Sequence, residues 1–308
     1  MSGRGAIARA LALVTSGLLV VACSGVSAAT EHTGAASSHQ HADTASSGQP
    51  DRPIAGPQGA TPQFVVECGF SHAAQVDPIV FPGTTGVSHL HVFFGNTDVK
   101  PDTTPASLAD GATTCDQRQD KAAYWAPALL RDGEMITPVK STAYYRPGID
   151  VDPTTVEPFP EGLVMIAGSA AATDPQPLSI VAWSCGLGIE REVLPPRCSP
   201  DRVLRLLVTF PDCWDGVNLD SVNHKSHVAY SSKGTCPQDH PVPVPQLQFS
   251  VEYPVSGSTE GLELASGGLI TGHADFMNGW VPDKLAGEVR MCLHRAVVCG
   301  VTSGRKTG

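Results

Sequence analysis

No run of lysines and arginines occurs in this sequence, only 16% of its residues are charged, and its net charge is −10. A phosphate backbone would find no cluster of cations to meet, which argues against nucleic acid as a partner and against a polybasic membrane-surface patch. There is no Gly-x-Ser-x-Gly, so a nucleophile-elbow hydrolase is unsupported. There is no Walker A and no His-Glu-x-x-His. No Cys-x-x-Cys pair occurs, which argues against a zinc ribbon. Helical periodicity is scarce, and no repeat of fixed period is evident, which disfavours a solenoid or propeller. Past the first two dozen residues, no apolar run is long enough to cross a membrane as a helix.

What is present begins at the N-terminus. Arg4 and Arg9 form a short basic region, and Ala10 to Ala22 is apolar except for Thr15 and Ser16. That stretch is too short to span a bilayer comfortably and reads as a signal-peptide core over residues 1–22. It ends in Val20-Val21-Ala22-Cys23, followed by Ser24 and Gly25, which resembles the bacterial lipobox. The expectation is a lipid-modified Cys23 that anchors an extracytoplasmic protein to the cell membrane, with several acyl chains holding firmly where one would not. The competing reading is an ordinary signal peptide cut near Ala28 or Ala29, with Cys23 lost.

Nine cysteines become eight once Cys23 is set aside: Cys68, Cys115, Cys185, Cys198, Cys213, Cys236, Cys292 and Cys299. An even number in an exported chain points to four disulfides. Eight cysteines allow on the order of a hundred pairings, and the sequence does not choose among them. The neighbours Cys213–Cys236 and Cys292–Cys299 are the plausible local pairs.

Residues 23–61 are dominated by Ala, Ser, Gly, Thr, Gln, Pro and His, with Val26 and Ile54 the large aliphatics and no aromatic. Such a segment buries too little apolar surface to offset its ordering entropy, and reads as a disordered tether roughly 30–35 Å from end to end. His32, His39 and His41 lie in it. From residue 62 to 308 the character changes, and about 245 residues suit one domain or two intimate halves. Short β-branched runs recur at Phe64–Phe70, His89–Phe94, Leu163–Gly168, Ile180–Trp183, Val203–Phe210, Gln246–Tyr253 and Val289–Leu293, punctuated by Pro, Gly, Asp and Asn. This pattern predicts an all-β or β-rich single domain, sandwich- or jelly-roll-like, with long disulfide-stapled loops and few short helices, at Thr104–Leu108 and Pro282–Val289.

The histidines fall beside these runs. His89-Leu90-His91 opens one, and residues i and i+2 of a strand share a face, so both imidazoles could reach one ion while Leu90 enters the core. A second cluster runs from Asp212-Cys213-Trp214-Asp215 through Asp220 to His224 and His227, with His240 shortly after Cys236. His273-Ala274-Asp275 offers a further pair on one face of an extended segment. His72 and His294 read as structural. The site predicted from these residues has His89, His91, His240, His273 and Asp275 as metal ligands. It has Asp212, Asp215, His224 and His227 as acid–base groups, and Tyr124, Trp125, Trp214, Asn278 and Trp280 as substrate contacts. Zinc, copper and manganese are compatible with His/Asp ligation. The competing chemistry is proton transfer by His and Asp without a metal.

Several ordered motifs carry a family resemblance. They are Asp77-Pro78-Ile79-Val80 with Pro82-Gly83, Ser88-His89-Leu90-His91 with Phe93-Phe94-Gly95-Asn96, and Tyr124-Trp125-Ala126-Pro127. Further along come Phe210–Gly216 with Asn218, Leu219, Asp220 and Ser221, His224-Lys225-Ser226-His227, Cys236-Pro237 with His240-Pro241-Val242 and Pro245, and His273-Ala274-Asp275-Phe276 with Asn278-Gly279-Trp280. Together they resemble the DUF1996 family over about Phe64 to Cys292. The family occurs in secreted bacterial and fungal proteins, sometimes beside carbohydrate-associated WSC modules, and the resemblance implies a cell-wall or polysaccharide setting by analogy only. It supplies no catalytic residues. The function expected is therefore a His-dependent, metal-assisted enzyme acting on extracellular or wall polysaccharide. The alternatives are a non-catalytic carbohydrate- or metal-binding envelope module, and a structural envelope protein.

Overall fold

The computed structural model describes residues 61–186 and 190–300. The expected signal peptide at residues 1–22, Cys23 with its expected lipid, and the expected tether with its histidines lie outside the described residues.

Ten strands share one sheet and are numbered in chain order. They are β1 (Gln63–Ala74), β2 (His91–Gly95), β3 (Ala123–Pro127), β4 (Lys140–Arg146) and β5 (Val164–Gly168). The others are β6 (Val181–Cys185), β7 (Leu204–Thr209), β8 (Gln246–Tyr253), β9 (His273–Met277) and β10 (Val298–Cys299). Their spatial order is β5-β9-β3-β2-β1-β4-β8-β7-β6, with β10 running parallel to the start of β1 and every other pairing antiparallel. The strand β1 pairs with β4 through Phe64–Gly69 and with β2 through Phe70–Ala74, with a register irregularity between Phe70 and His72. Such an irregularity bends a strand, so a single strand can pass from one layer into the next.

Two layers result, and their facing side chains form the main core. Val92 and Phe94, Tyr124 and Ala126, and Ala274 and Phe276 come from one layer; Ala143 and Tyr145, Phe249 and Val251, and Leu206 and Val208 come from the other. The spacing of two within each strand is the pleat made visible. Phe94 and Tyr124 both pack on the ring of Phe249 at centroid distances of 5.8 and 5.5 Å. At the far edges, Val181 of β6 lies against Gly168 and Gly272 at the end of β5 and the start of β9, and the sheet is nearly closed.

The layer of β2, β3, β9 and β5 is buried on its other face as well. Phe93, Ala123, Trp125, Val164, Ile166 and Met277 form a second apolar cluster with Val76, Ile79, Val99 and Leu108, which belong to the long connections after β1 and β2. Burial on both faces explains why β2 and β3 read as unbroken apolar runs rather than as alternating ones.

All eight domain cysteines are paired: Cys68–Cys115, Cys185–Cys198, Cys213–Cys236 and Cys292–Cys299. One expectation fails. Val289–Leu293 is not a strand but continues the helix α1 (Pro282–Glu288) as a helical turn. Leu285, Val289, Cys292 and Leu293 are its buried apolar residues, and a spacing of three to four is helical, not extended. A 3-10 turn forms at Pro105–Asp110, where a short helix was expected.

Between the layers lies a chain of polar groups. Trp280 donates its indole N–H to Tyr145 at 3.1 Å, Tyr145 and Tyr124 share a short hydroxyl–hydroxyl bond, and Tyr124 donates to Asp120 at 2.6 Å. Burial pushes the Asp120 carboxyl up to about 7, against the favourable bonds from Tyr124 and the Ala122 amide. Asp116 nearby adds to the rise. The folded chain therefore holds this proton more tightly than the unfolded chain. The stabilisation is complete below about pH 4 and is lost as pH rises towards 7. The total change is a few kcal/mol, since each tenfold difference in proton affinity is worth roughly 1.4 kcal/mol. Asp120→Asn is expected to remove that part of the pH dependence. Denaturant titrations of both proteins at pH 4 and pH 8 check it; an unchanged wild-type-minus-variant difference would show that Asp120 does not titrate in this window.

Candidate metal centre

Register alone lines up the residues of the site on the outer, loop-covered face of the layer of β2, β3, β9 and β5. One row across four strands is His91, Pro127, His273 and Gly168, where His91 pairs with Pro127 and His273 with Gly168. Continuing the β3–β9 register past Asp275 and Trp125 sets Pro127 opposite His273. The next row is Phe93, Trp125, Asp275 and Ile166. Pro127 has no N–H to donate and only a low ring on this face, so the two imidazoles on either side can lean together over it. His89, just before β2, completes the group.

The ring centroids lie 4.2 Å apart for His89 and His91, 5.0 Å for His89 and His273, and 5.9 Å for His91 and His273. One ring nitrogen from each falls within 4.8 Å of the others. Backbone carbonyls set the tautomers. His91 donates Nδ1–H to Val76 at 2.9 Å, and His273 donates Nδ1–H to Thr271 at 2.9 Å. A carbonyl only accepts, so both Nε2 atoms present bare lone pairs. The Nε2 atoms of His89 and His273 are 3.2 Å apart. That matches the separation of about 3.3 Å between two nitrogens on one tetrahedral ion.

The electrostatics agree. Burial holds His91 well below the ordinary imidazole value, reinforced by His89 and His273; burial takes His273 down to about 4 and lowers His89. All three are neutral near pH 7, the form that binds metal. Burial raises the Asp275 carboxyl well above its usual range, Asp77 adds to the rise and Lys225 opposes it. Four buried polar atoms of this patch have no hydrogen-bond partner among the described residues: Ser88 Oγ, His91 Nε2, Trp125 Nε1 and Asp275 Oδ2. Each such orphan costs about 1–3 kcal/mol unless something bound satisfies it. Their concentration around converging lone pairs fits a metal ion with a bound water.

A cleft of about 220 Å³ adjoins these rows. Its lining includes Ile166 and Gly168, the ladder partners of Asp275 and His273, together with Gln176, Lys225, Val228 and Tyr230. Lys225 donates Nζ to the Gly168 carbonyl at 2.5 Å. Its charge is felt at both His273 and Asp275.

Other residues expected at the site are placed elsewhere. The nitrogen cluster contains neither His224, His227 nor His240. His227 is buried, donating to Val164 at 2.7 Å and bonding Ser221, while His224 pairs with Asp220 at 2.9 Å. His240 donates to the Ser226 carbonyl. Asp215 caps its own turn, accepting from the amides of Val217 and Asn218. Asp212 is 1% exposed and accepts from the Ser231 amide. Asp275 stands one row from the trio rather than within the nitrogen cluster.

Tyr124, Trp125 and Trp280 are at most 3% exposed, which corrects their assignment as substrate contacts: the long connections and the layer of β4, β8 and β7 cover the ring faces a sugar would need. Asn278 is likewise buried, donating to Pro160 and accepting from the Trp280 amide. Trp214 keeps partial exposure and donates its indole N–H to Asn218. His72 stacks on Phe93 at 4.7 Å, and His294 donates to Val156. Lys225 and Asp77 were not singled out from the sequence, although both lie inside motifs that were. The other acidic and cysteine groupings, around Cys68–Cys115 and Cys292–Cys299, are built on disulfides and have no free thiolate.

No curated protein and no solved structure matches this chain. A family model described as "Domain of unknown function (DUF1996)" matches residues 77–280, from the Asp77 loop that covers the trio to Trp280 at the end of the core network. That span is about two thirds of the sequence and encloses the whole candidate centre, and on it the chain belongs to the DUF1996 family.

Proposed function

We propose that this chain is an extracytoplasmic lipoprotein, anchored through Cys23, whose domain holds one divalent transition-metal ion on His89, His91 and His273 and acts on an extracellular or wall polysaccharide. The observation that carries it is the convergence of three neutral imidazoles, two with tautomers set by carbonyls, on one point beside orphaned polar groups. An all-nitrogen donor set favours zinc or copper over manganese. Three protein ligands leave a position open, and half-buried His89 marks the accessible side. A metal bound in this way supplies an activated water and a Lewis acid. Asp275 stands beside the trio to hold a proton, and Lys225 offers positive charge to a substrate in the adjoining cleft. Four disulfides suit an oxidising compartment.

A second reading, a metal-binding module without turnover, is favoured by the burial of Tyr124, Trp125 and Trp280, which leaves Trp214 as the one aromatic of the proposed sugar platform with an exposed edge. Elemental analysis of the purified, oxidised protein separates these ideas from a purely structural role. About one equivalent of zinc or copper is expected. None, even after reconstitution, would sink the metal reading. New reducing ends on wall polysaccharide with loaded protein would establish the enzyme, whereas binding without product would establish the module. Release of a Cys23→Ala chain from the membrane tests the anchor.

A further inference from the structure

The outer face of the layer containing β4, β8 and β7 carries a polar grouping that the metal centre does not use. Gln248 on β8 accepts from two guanidiniums at once, Arg146 Nη1 at 3.2 Å and Arg191 Nη2 at 2.9 Å, both on Oε1. The two cations therefore stand within about 6 Å of each other. Their remaining partners are also neutral: Arg146 donates Nε to Gln63, and Arg191 donates Nη1 to the Leu178 carbonyl. Among the described residues neither arginine forms a salt bridge, although the chain has ten more acidic than basic residues. Each guanidinium has about five N–H donors, and two of each are spent on partners among the described residues. Both arginines are only partly buried, and neither Arg146 Nη2 nor Arg191 Nε is among the buried atoms without partners.

A second observation points the same way. Thr209 lies across the ladder from Gln248 on the same face, is 6% exposed, and leaves its hydroxyl without a partner among the described residues. Its amide bonds Ile180, two residues from the Leu178 carbonyl that Arg191 grips, so Thr209 lies between the two points that Arg191 spans. On the other side of Gln248 is Tyr144, whose ring supports the Arg146 guanidinium at 4.8 Å. Two unneutralised forks held side by side, with an unspent hydroxyl beside them, offer charge-assisted bonds to an anion.

We propose that Arg146, Arg191 and Thr209 form a binding site for an oxyanion, the carboxylate, phosphate or sulfate group of a ligand. The site is independent of the metal centre. Calorimetric titration of the oxidised protein with inorganic phosphate, sulfate and acetate, each matched in ionic strength against chloride, tests it. Saturable binding of at least one is expected, weakened at least about tenfold in Arg191→Gln and measurably in Thr209→Val, and unchanged in His91→Ala. Thr209→Val keeps the side-chain shape and removes only an unpartnered hydroxyl, so it tests the site with the fold intact. Preference for acetate over the tetrahedral ions would identify a carboxylate ligand, and the reverse a phosphate or sulfate. No saturation beyond chloride, equal binding by Arg191→Gln, or loss in His91→Ala instead, would overturn the proposal.

Discussion

His91→Ala is expected to abolish stoichiometric metal binding, weakening it by more than the ten- to hundredfold that loss of a supporting residue typically costs. The side chain is fully buried, its Nδ1 is tied to Val76, and its Nε2 has no hydrogen-bond partner among the described residues. Removing it deletes one of three nitrogens and leaves His89 and His273 with too few donors for tight binding. The metal-free fold should persist, since the change also removes an unsatisfied buried atom. Near-ultraviolet circular dichroism checks the fold, and metal content after dialysis checks the site. A variant that retains a full equivalent of metal would place the ion elsewhere. His89→Ala, at a less buried position, provides the independent case, with the same expected loss and less disturbance of packing.

Double replacement of Cys68 and Cys115 by serine is expected to destabilise the domain by about 4 kcal/mol, from the loop entropy of a bridge spanning 47 residues. The effect should exceed that of opening Cys292–Cys299, which spans 7. The bridge has a further consequence, because the loop it closes contains His89, His91 and the Val76, Ile79, Val99 and Leu108 cover over the trio. Loosening that cover admits water to the site and frees the Val76 carbonyl that sets the His91 tautomer. Denaturant titration of the double variant measures the stability, and metal affinity in the same protein measures the coupling. Equal stabilities would mean that the long loop is already held by its apolar cover alone.

Much of this could be read from local spacing. The β-branched runs at Phe64–Phe70, Val203–Phe210 and Gln246–Tyr253 became β1, β7 and β8, because period-two burial is a property of a few consecutive residues. Val289–Leu293 misled because a short apolar run has no period of its own, and its helix depends on the preceding Pro282–Glu288. His-x-His and His-x-Asp were visible as motifs for the same local reason. Whether they met was not, since His91 and His273 are brought together by β3 lying between their strands with Pro127 in the shared row. His227 carried an equal signal and turned inward to Val164 instead.

The amino-acid sequence by itself determined the β-rich class, the even set of cysteines and the histidine motifs. Each of these is a count or a short-range pattern. Tertiary structure alone decided that His89, His91 and His273 converge while His224, His227 and His240 do not, that Cys68 pairs with Cys115, and that Tyr124, Trp125 and Trp280 are enclosed. Each of those depends on strand order and on which face a long connection covers. Such relations join residues as many as 184 positions apart in the chain, and only the order of strands within one layer brings His89 and His273 into contact.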